Sequence, residues 1–169
     1  RVELASRHNA DLFISIHANA TLSPRVNGYE TYFLSRAPTS DDARVTAALE
    51  NTAADLEKRG KKRYDDIEFV EALMLTAQIQ KESGKLAELV QGSMGQKMRK
   101  TPNRGVKRAD FFVLRGALMP AVLVEIGYIT NDAERKLMQS ASYQEVMVSA
   151  IGEGVVDFVT DYARIAASH

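Results

Sequence analysis

Two apolar stretches decide the fold. They are DLFISIH at residues 11–17 and AVLVEI at residues 121–126. Nearly continuous apolar runs of this length are typical of strands that are buried on both faces of an α/β sheet. The first stretch ends at His17, and the second carries Glu125 directly after four apolar residues. Because ligands and catalytic groups of open α/β sheets lie at the carboxyl ends of strands, these two polar side chains are candidates for a functional site.

The remaining segments alternate between strand and helix signals. Aromatic and β-branched residues predict strands at 28–34 and 111–114, and residues 100–105 are typical of a turn-rich loop. Apolar residues at helical spacing predict long helices at 41–59, 65–90 and 142–166. In the first helix they are Val45, Leu49, Ala53 and Leu56. We therefore expect the α/β class, with a twisted, mostly parallel or mixed sheet and helices on both faces.

The composition excludes several classes of function. The chain has 169 residues, with 22 Lys and Arg against 22 Asp and Glu, so its formal net charge is zero. General nucleic-acid-binding proteins carry a basic excess, so we expect no nucleic-acid partner. No apolar run approaches the roughly 20 residues that span a bilayer. The absence of cysteine excludes a thiol nucleophile and Cys-ligated zinc. The length fits a single domain, which we expect to be monomeric.

His17 and Glu125 admit two interpretations. In the structural one, His17 caps a strand and Glu125 pairs with Arg104, Lys107 or Arg115, since structural ion pairs also perturb such groups. In the functional one, the carboxylate of Glu125 needs a metal, a cation or a proton, because burying it alone is costly. Composition and spacing alone favour the structural interpretation.

Five short segments follow one another along most of the chain. They are ADLFISIHANA at 10–20, GYETYFL at 28–34, NRGVK at 103–107, FVLR at 112–115 and PAVLVEIGYITN at 120–131. Each segment alone is a weak signal. Together, in this order, they resemble the zinc-dependent N-acetylmuramoyl-L-alanine amidases of the cell-division type.

The resemblance implies a peptidoglycan hydrolase that cleaves the amide between N-acetylmuramic acid and the L-alanine of the stem peptide. In that family two His and one Glu hold Zn²⁺, with a water in the open position. His17 matches the second His, and Glu125 matches the catalytic Glu. The chain lacks the other two ligands, which we expect upstream of Arg1. Three residues lie by motif near the same cleft and are candidates for substrate contacts: Asn19, Arg104 and Lys107.

We expect residues 1–169 to form a single amidase domain that lacks its N-terminal strands. The chain begins with RVELAS, without a starting Met or a capping residue, as if inside a helix. The implied substrate places the protein in the cell envelope, periplasmic or secreted. The missing ligands keep a second interpretation open, in which an amidase fold binds peptidoglycan or a partner without catalysis.

We expect residues 41–100 to form a helical insertion, because they separate two predicted strands by far more than the roughly 2–6 residues of an ordinary α/β connection. In cell-division amidases a comparable insertion carries a helix that blocks the zinc cleft, and the resemblance implies a LytM-domain activator that displaces it. Residues 65–90 resemble that helix. A carboxylate on one of its faces would take the open zinc position, and the candidates are Glu68, Glu71 and Glu82. The alternative is a solvated acidic face with ordinary packing.

Overall fold

The computed structural model describes residues 1–54 and 66–166, and side chains within residues 1–52 and 75–164. The helices are α1 Val2–Arg7, α2 Asp41–Ala54, α3 Asp66–Lys97, α4 Asp132–Met138 and α5 Ala141–Ala166. The strands are β1 Phe13–Asn19, β2 Tyr29–Leu34, β3 Asn103–Ala109 and β4 Ala121–Tyr128. None of the described helices combines the length and the apolar character needed to cross a membrane.

The four strands form one mixed sheet in the order β1-β4-β2-β3. β1 runs parallel to β4 and β2 runs parallel to β3, whereas β2 and β4 are antiparallel. The register sets His17 opposite Glu125 on one side and Glu30 opposite Glu125 on the other. Glu125 therefore lies on an inner strand between two polar neighbours.

Helices cover both faces of this sheet, as the sequence predicts. Successive side chains of a strand point to opposite faces. Val122 and Val124 pack with α3 and α5 in one apolar cluster, while Leu123 packs with α2 in the other. Glu125 follows Leu123 by two residues, so its side chain points to the face that α2 covers.

The third strand differs from the prediction. It lies at Asn103–Ala109, of which the first three residues belong to the predicted loop at 100–105, whereas Phe112–Leu114 forms a 3₁₀ turn instead of a strand. β3 pairs only with β2 in the described sheet, so it keeps the polar residues and the glycine that an edge strand tolerates. The sequence of this segment predicts a strand because Phe111 and Leu114 are apolar. Both side chains are buried in the cluster under α2.

α2 packs on a different face from the predicted one. Val45 and Leu49, on the predicted apolar stripe, are half-exposed. Ala43 and Ala47 are buried instead, against Tyr32 and its neighbours. Small alanine side chains allow the helix to approach the sheet closely, and this approach brings the same helix face to the end of β1.

Candidate active site

Three side chains from three elements converge at the carboxyl end of β1. His17 lies on β1, Glu125 on β4 and Glu50 on α2, and one ligand atom of each lies within 4.8 Å of the others. The parallel register of β1 and β4 sets His17 beside Glu125. α2 then carries Glu50 over the two strands. The structure thus brings together the two polar residues that the sequence singles out and adds a third.

Both ring nitrogens of His17 are engaged. Nδ1 lies 2.7 Å from the Oε2 atom of Glu50, and Nε2 lies 3.0 Å from the hydroxyl oxygen of Ser15. A carboxylate only accepts hydrogen bonds, so Nδ1 donates to Glu50, and in the neutral ring Nε2 accepts from the hydroxyl of Ser15. These two contacts fix the orientation of the imidazole, with Nδ1 directed toward the cluster.

Glu125 is fully buried, and neither of its carboxylate oxygens has a hydrogen-bond partner among the described residues. Burial, with the nearby negative charges of Glu50 and Glu30, raises the pKa of Glu125 to about 9. The carboxyl group therefore keeps its proton at neutral pH unless a cation lies beside it.

The structural interpretation of Glu125 does not hold. Arg115 pairs with Asp110, with Nη2 and Oδ2 2.6 Å apart, and not with Glu125. The other two expected partners, Arg104 and Lys107, bond to Glu30. Glu125 is left as a buried acid without a counter-ion among the described residues, an arrangement that needs an explanation other than an ion pair.

The cluster fits a divalent metal ion. One imidazole nitrogen and two carboxylates are donors that Zn²⁺ accepts in proteins. The unpartnered oxygens of buried Glu125 are the observation that supports the fit, since a cation would satisfy them and favour the ionised form. The geometry is thus suited to a metal and to a carboxyl group that exchanges a proton beside it.

Glu50 is the residue that sequence reasoning misses. It lies in the predicted insertion, but in its first helix and not in residues 65–90. It lies on one helix face with Ala47 and Ala43, three and seven residues earlier, but only the structure shows that this face is the buried one. The next residue, Asn51, fixes this end of α2. Its Nδ2 donates to the Asp110 carbonyl at 2.8 Å, and its Oδ1 accepts from a backbone N–H at 2.6 Å.

The structure does not bring Glu82 to this site, contrary to the expectation. The described part of α3 packs on the face of the sheet opposite Glu125. Glu82 lines a cavity with Leu12 and Pro120, which directly precede β1 and β4, so it lies near the opposite end of these strands from His17. The side chains of Glu68 and Glu71 lie outside the described residues.

The three predicted substrate contacts share one partner. Asn19, Arg104 and Lys107 all donate hydrogen bonds to the carboxylate of Glu30, which is fully buried beside Glu125. Arg104 and Lys107 remain partly exposed. They line the same face of the sheet as the candidate metal site, because Glu30 and Glu125 are register partners.

Known proteins share this fold and these segments. Residues 1–157 match the family model described as N-acetylmuramoyl-L-alanine amidase. The amidase AmiA of Escherichia coli K12 is 32% identical over 162 residues, covering 94% of this chain and 55% of that protein. AmiC of Escherichia coli O6:H1 is 32% identical over 171 residues, covering 98% of this chain and 40% of that protein.

The solved structure of the amidase AmiC2 of Nostoc punctiforme has a TM-score of 0.62 and 30% identity, covering 95% of this chain and 64% of that one. As the coverages of AmiA and AmiC show, this chain spans about half of the length of the curated relatives it matches. Nearly the whole chain falls within one family model, and the mixed sheet agrees with the sequence resemblance. The chain belongs to the N-acetylmuramoyl-L-alanine amidase family.

Proposed function

We propose that this domain hydrolyses the amide between N-acetylmuramic acid and the L-alanine of peptidoglycan, with Zn²⁺ as its cofactor. The observation that carries the proposal is the buried, unpartnered carboxyl group of Glu125 beside His17. Family membership supports the choice of bond. The substrate places the domain in the cell envelope, periplasmic or secreted.

In this proposal His17 would be a metal ligand through Nδ1, with the ring proton then on Nε2 and donated to Ser15, and Glu50 is the carboxylate beside it. A further His and a Glu ligand are expected upstream of Arg1. Bound Zn²⁺ would supply Lewis-acid chemistry, because it lowers the pKa of a coordinated water to about 7 and polarises a carbonyl group. Ser15 holds the imidazole of His17 from the other side, which keeps Nδ1 directed at the cluster.

In this proposal Glu125 transfers the proton from the attacking water to the leaving amine. Ionised in the presence of a cation, it accepts a proton from the attacking water at a carboxylate oxygen. It then delivers this proton to the nitrogen of the departing L-alanine, so that the amide is replaced by a carboxylic acid and an amine. The absence of hydrogen-bond partners among the described residues leaves both oxygens of Glu125 available for these transfers.

Glu50 supports an autoinhibited form of the same site. It belongs to the insertion at residues 41–100, and its carboxylate contacts the proposed ligand atom of His17. A carboxylate in this place would compete with the substrate for a bound metal ion. An activator, of the LytM-domain class that the resemblance implies, would act by moving α2 away from β1 and β4.

Metal analysis and an amide-hydrolysis assay test the catalytic proposal. In a protein that also carries the two ligands expected upstream of Arg1, we expect about one Zn²⁺ per chain after dialysis and release of a new α-amino group from a muramoyl peptide. His17→Ala should lose the metal, whereas His8→Ala, at an exposed position, should keep it. Glu125→Gln should keep the metal and lose turnover, and Glu88→Gln is the matched control at an exposed site.

The outcomes separate an enzyme from a binding module. Turnover that persists in Glu125→Gln would contradict the assigned role of Glu125. A folded, metal-loaded protein that binds peptidoglycan without releasing amines would instead favour the non-catalytic alternative. A folded protein with no Zn²⁺ above background would refute the metal-dependent mechanism for this chain.

A further inference from the structure

Glu30 is a second buried carboxylate next to Glu125, with the opposite environment. It is fully buried on β2, and its main chain lies opposite that of Glu125 in the antiparallel register. Whereas Glu125 lacks partners among the described residues, five side chains donate to Glu30. Oε1 accepts from Asn19 Nδ2 at 3.0 Å and from the hydroxyls of Tyr32 and Tyr128, both at 2.9 Å. Oε2 accepts from Arg104 Nε at 3.1 Å and from Lys107 Nζ at 2.5 Å.

These contacts keep Glu30 ionised despite its burial. Burial by itself would raise the pKa of Glu30. The hydrogen bond and positive charge of Lys107, together with the hydroxyls of Tyr128 and Tyr32, hold this pKa below its ordinary value. An anion with this many donors organises its neighbours, because every donor is directed at one of two oxygens.

Two cations share this single anion. Arg104 and Lys107 reach the surface with 26% and 13% of their side chains exposed. The Arg104 guanidinium lies 5.5 Å from the centre of the Tyr128 ring, and Lys107 Nζ lies 5.9 Å from that of Tyr32. Both cations are thus held by a carboxylate and an aromatic face, which limits their rotamers.

One positive charge of this pair remains beyond what Glu30 neutralises. Asp42 approaches Arg104 to 3.7 Å, but its side chain is 79% exposed, so solvent screens this contact. The excess charge lies on the face of the sheet that carries Glu125. A pre-organised, partly dehydrated cation pair in this position suits an anionic group of a bound molecule.

We propose that Arg104 and Lys107, positioned by Glu30, bind a carboxylate of the stem peptide while its amide lies at Glu125. The inference rests on the proposed amidase function and adds the part of the substrate that is recognised. Glu30 is a positioning residue in this scheme, since it acts through the two cations. Arg104 and Lys107 determine the preference for an anionic peptide.

The test compares two soluble substrates that differ only in charge. They are N-acetylmuramoyl-L-alanyl-D-glutamate and its diamide, in which carboxamides replace both carboxylates. We expect the parent protein to favour the acid by about tenfold or more in kcat/KM, mainly through KM, because a charge-assisted contact is lost with the diamide. Lys107→Met should abolish most of this preference, and Glu30→Gln should reduce it. Lys97→Met, which removes a Lys–Glu contact on the outer helices, should leave it unchanged.

The ratio of the two rates separates recognition from structural support. A merely structural role of Glu30 or Lys107 would lower both rates alike and leave the ratio intact, which would overturn the inference. A parent protein that cleaves both substrates equally well would overturn it too. If the parent cleaves neither, the amidase proposal fails, and dissociation constants for the same two compounds then decide whether the cation pair prefers the acid. Should Glu30→Gln fail to fold, the Lys107→Met ratio decides alone.

Discussion

His17 and Glu50 are 33 residues apart in the sequence, yet the Nδ1 and Oε2 atoms of these residues lie 2.7 Å apart. His17 lies two residues before the end of β1, and Glu50 lies on a helix of the insertion. Their contact joins the candidate metal site to the segment expected to regulate it. The first two predictions test whether this contact restrains the reaction.

Removing the charge of Glu50 should raise the basal rate. In Glu50→Gln the side chain keeps its size but competes less well for a cation, so we expect amide hydrolysis by the zinc-loaded protein to rise about tenfold. Initial rates and zinc content, measured together, check this. Asp41→Asn, at an exposed position on the same helix, should leave the rate unchanged. A loss of zinc together with a lower rate would show that Glu50 is a required ligand and not an inhibitor.

Loosening the end of α2 should have a similar effect without touching the metal site. Asn51→Ala removes two hydrogen bonds to the main chain of residues 110 and 112. Each bond contributes about 1 kcal/mol, so α2 should open more often and the basal rate should rise. Amide hydrogen exchange in α2 measures the opening, and Thr52→Val, beside it on an exposed position, is the control. Faster exchange with an unchanged rate would mean that α2 does not gate the site.

A deletion of residues 61–92 would remove the segment at 65–90 expected to block the site, but it would not test autoinhibition alone. The described part of α3 supplies Leu86, Ala87 and Val90 to the apolar cluster under the sheet, and all three are fully buried. Removing them would expose this cluster and unfold the domain. Point substitutions at Glu50 and Asn51 therefore test regulation more directly.

The sequence predicts three of the four strands and misses β3. β1 and β4 are recognisable from their continuous apolar residues, although only β4 is an inner strand buried on both faces and Ile16 of β1 is half-exposed. The carboxyl ends of these two strands place His17 and Glu125 together. β3 lacks this signal, since its sequence NRGVKRA carries few apolar side chains. The aromatic residue Phe111 gives a false strand signal. Its side chain is buried in the core, but its main chain belongs to the loop before the 3₁₀ turn.

The contact of Glu50 could not be predicted because it depends on which face of α2 packs. Hydropathy favours the face with Val45 and Leu49, yet tertiary packing buries Ala43 and Ala47. Close approach to the sheet matters more here than the size of the apolar side chains, and a pattern of hydropathy carries no information about this distance.

Two glycines of α5 should respond oppositely to alanine. A Cβ atom at Gly154 would lie 2.5 Å from the Cα of Val90, so α3 and α5 would have to separate. We expect Gly154→Ala to lower the free energy of unfolding by about 1–3 kcal/mol, the usual cost of overpacking. At Gly152 no atom lies within 4 Å, so Gly152→Ala should raise it by up to about 1 kcal/mol through helix propensity. Urea unfolding measures both, and a destabilised Gly152→Ala would contradict the assigned packing.

Glu125 should make the metal-free protein less stable as the pH rises. Its pKa is about 9 in the folded chain against an ordinary value of 4.5, so between these values the folded state keeps a proton that the unfolded state has released. The free energy of unfolding then decreases with pH, by up to about 1.4 kcal/mol per unit from this group. Bound Zn²⁺ should weaken the dependence, because a cation favours the ionised carboxylate.

Urea unfolding of the metal-free parent and of Glu125→Gln, at about pH 5, 7 and 8.5, isolates this contribution. All other titrating groups are shared by the two proteins, so the difference between their stabilities belongs to Glu125. We expect this difference to shift in favour of the Gln variant with each step to higher pH, since glutamine has no proton to release. Parallel pH profiles would mean that Glu125 is already ionised in the folded chain, and that a cation other than the metal compensates it.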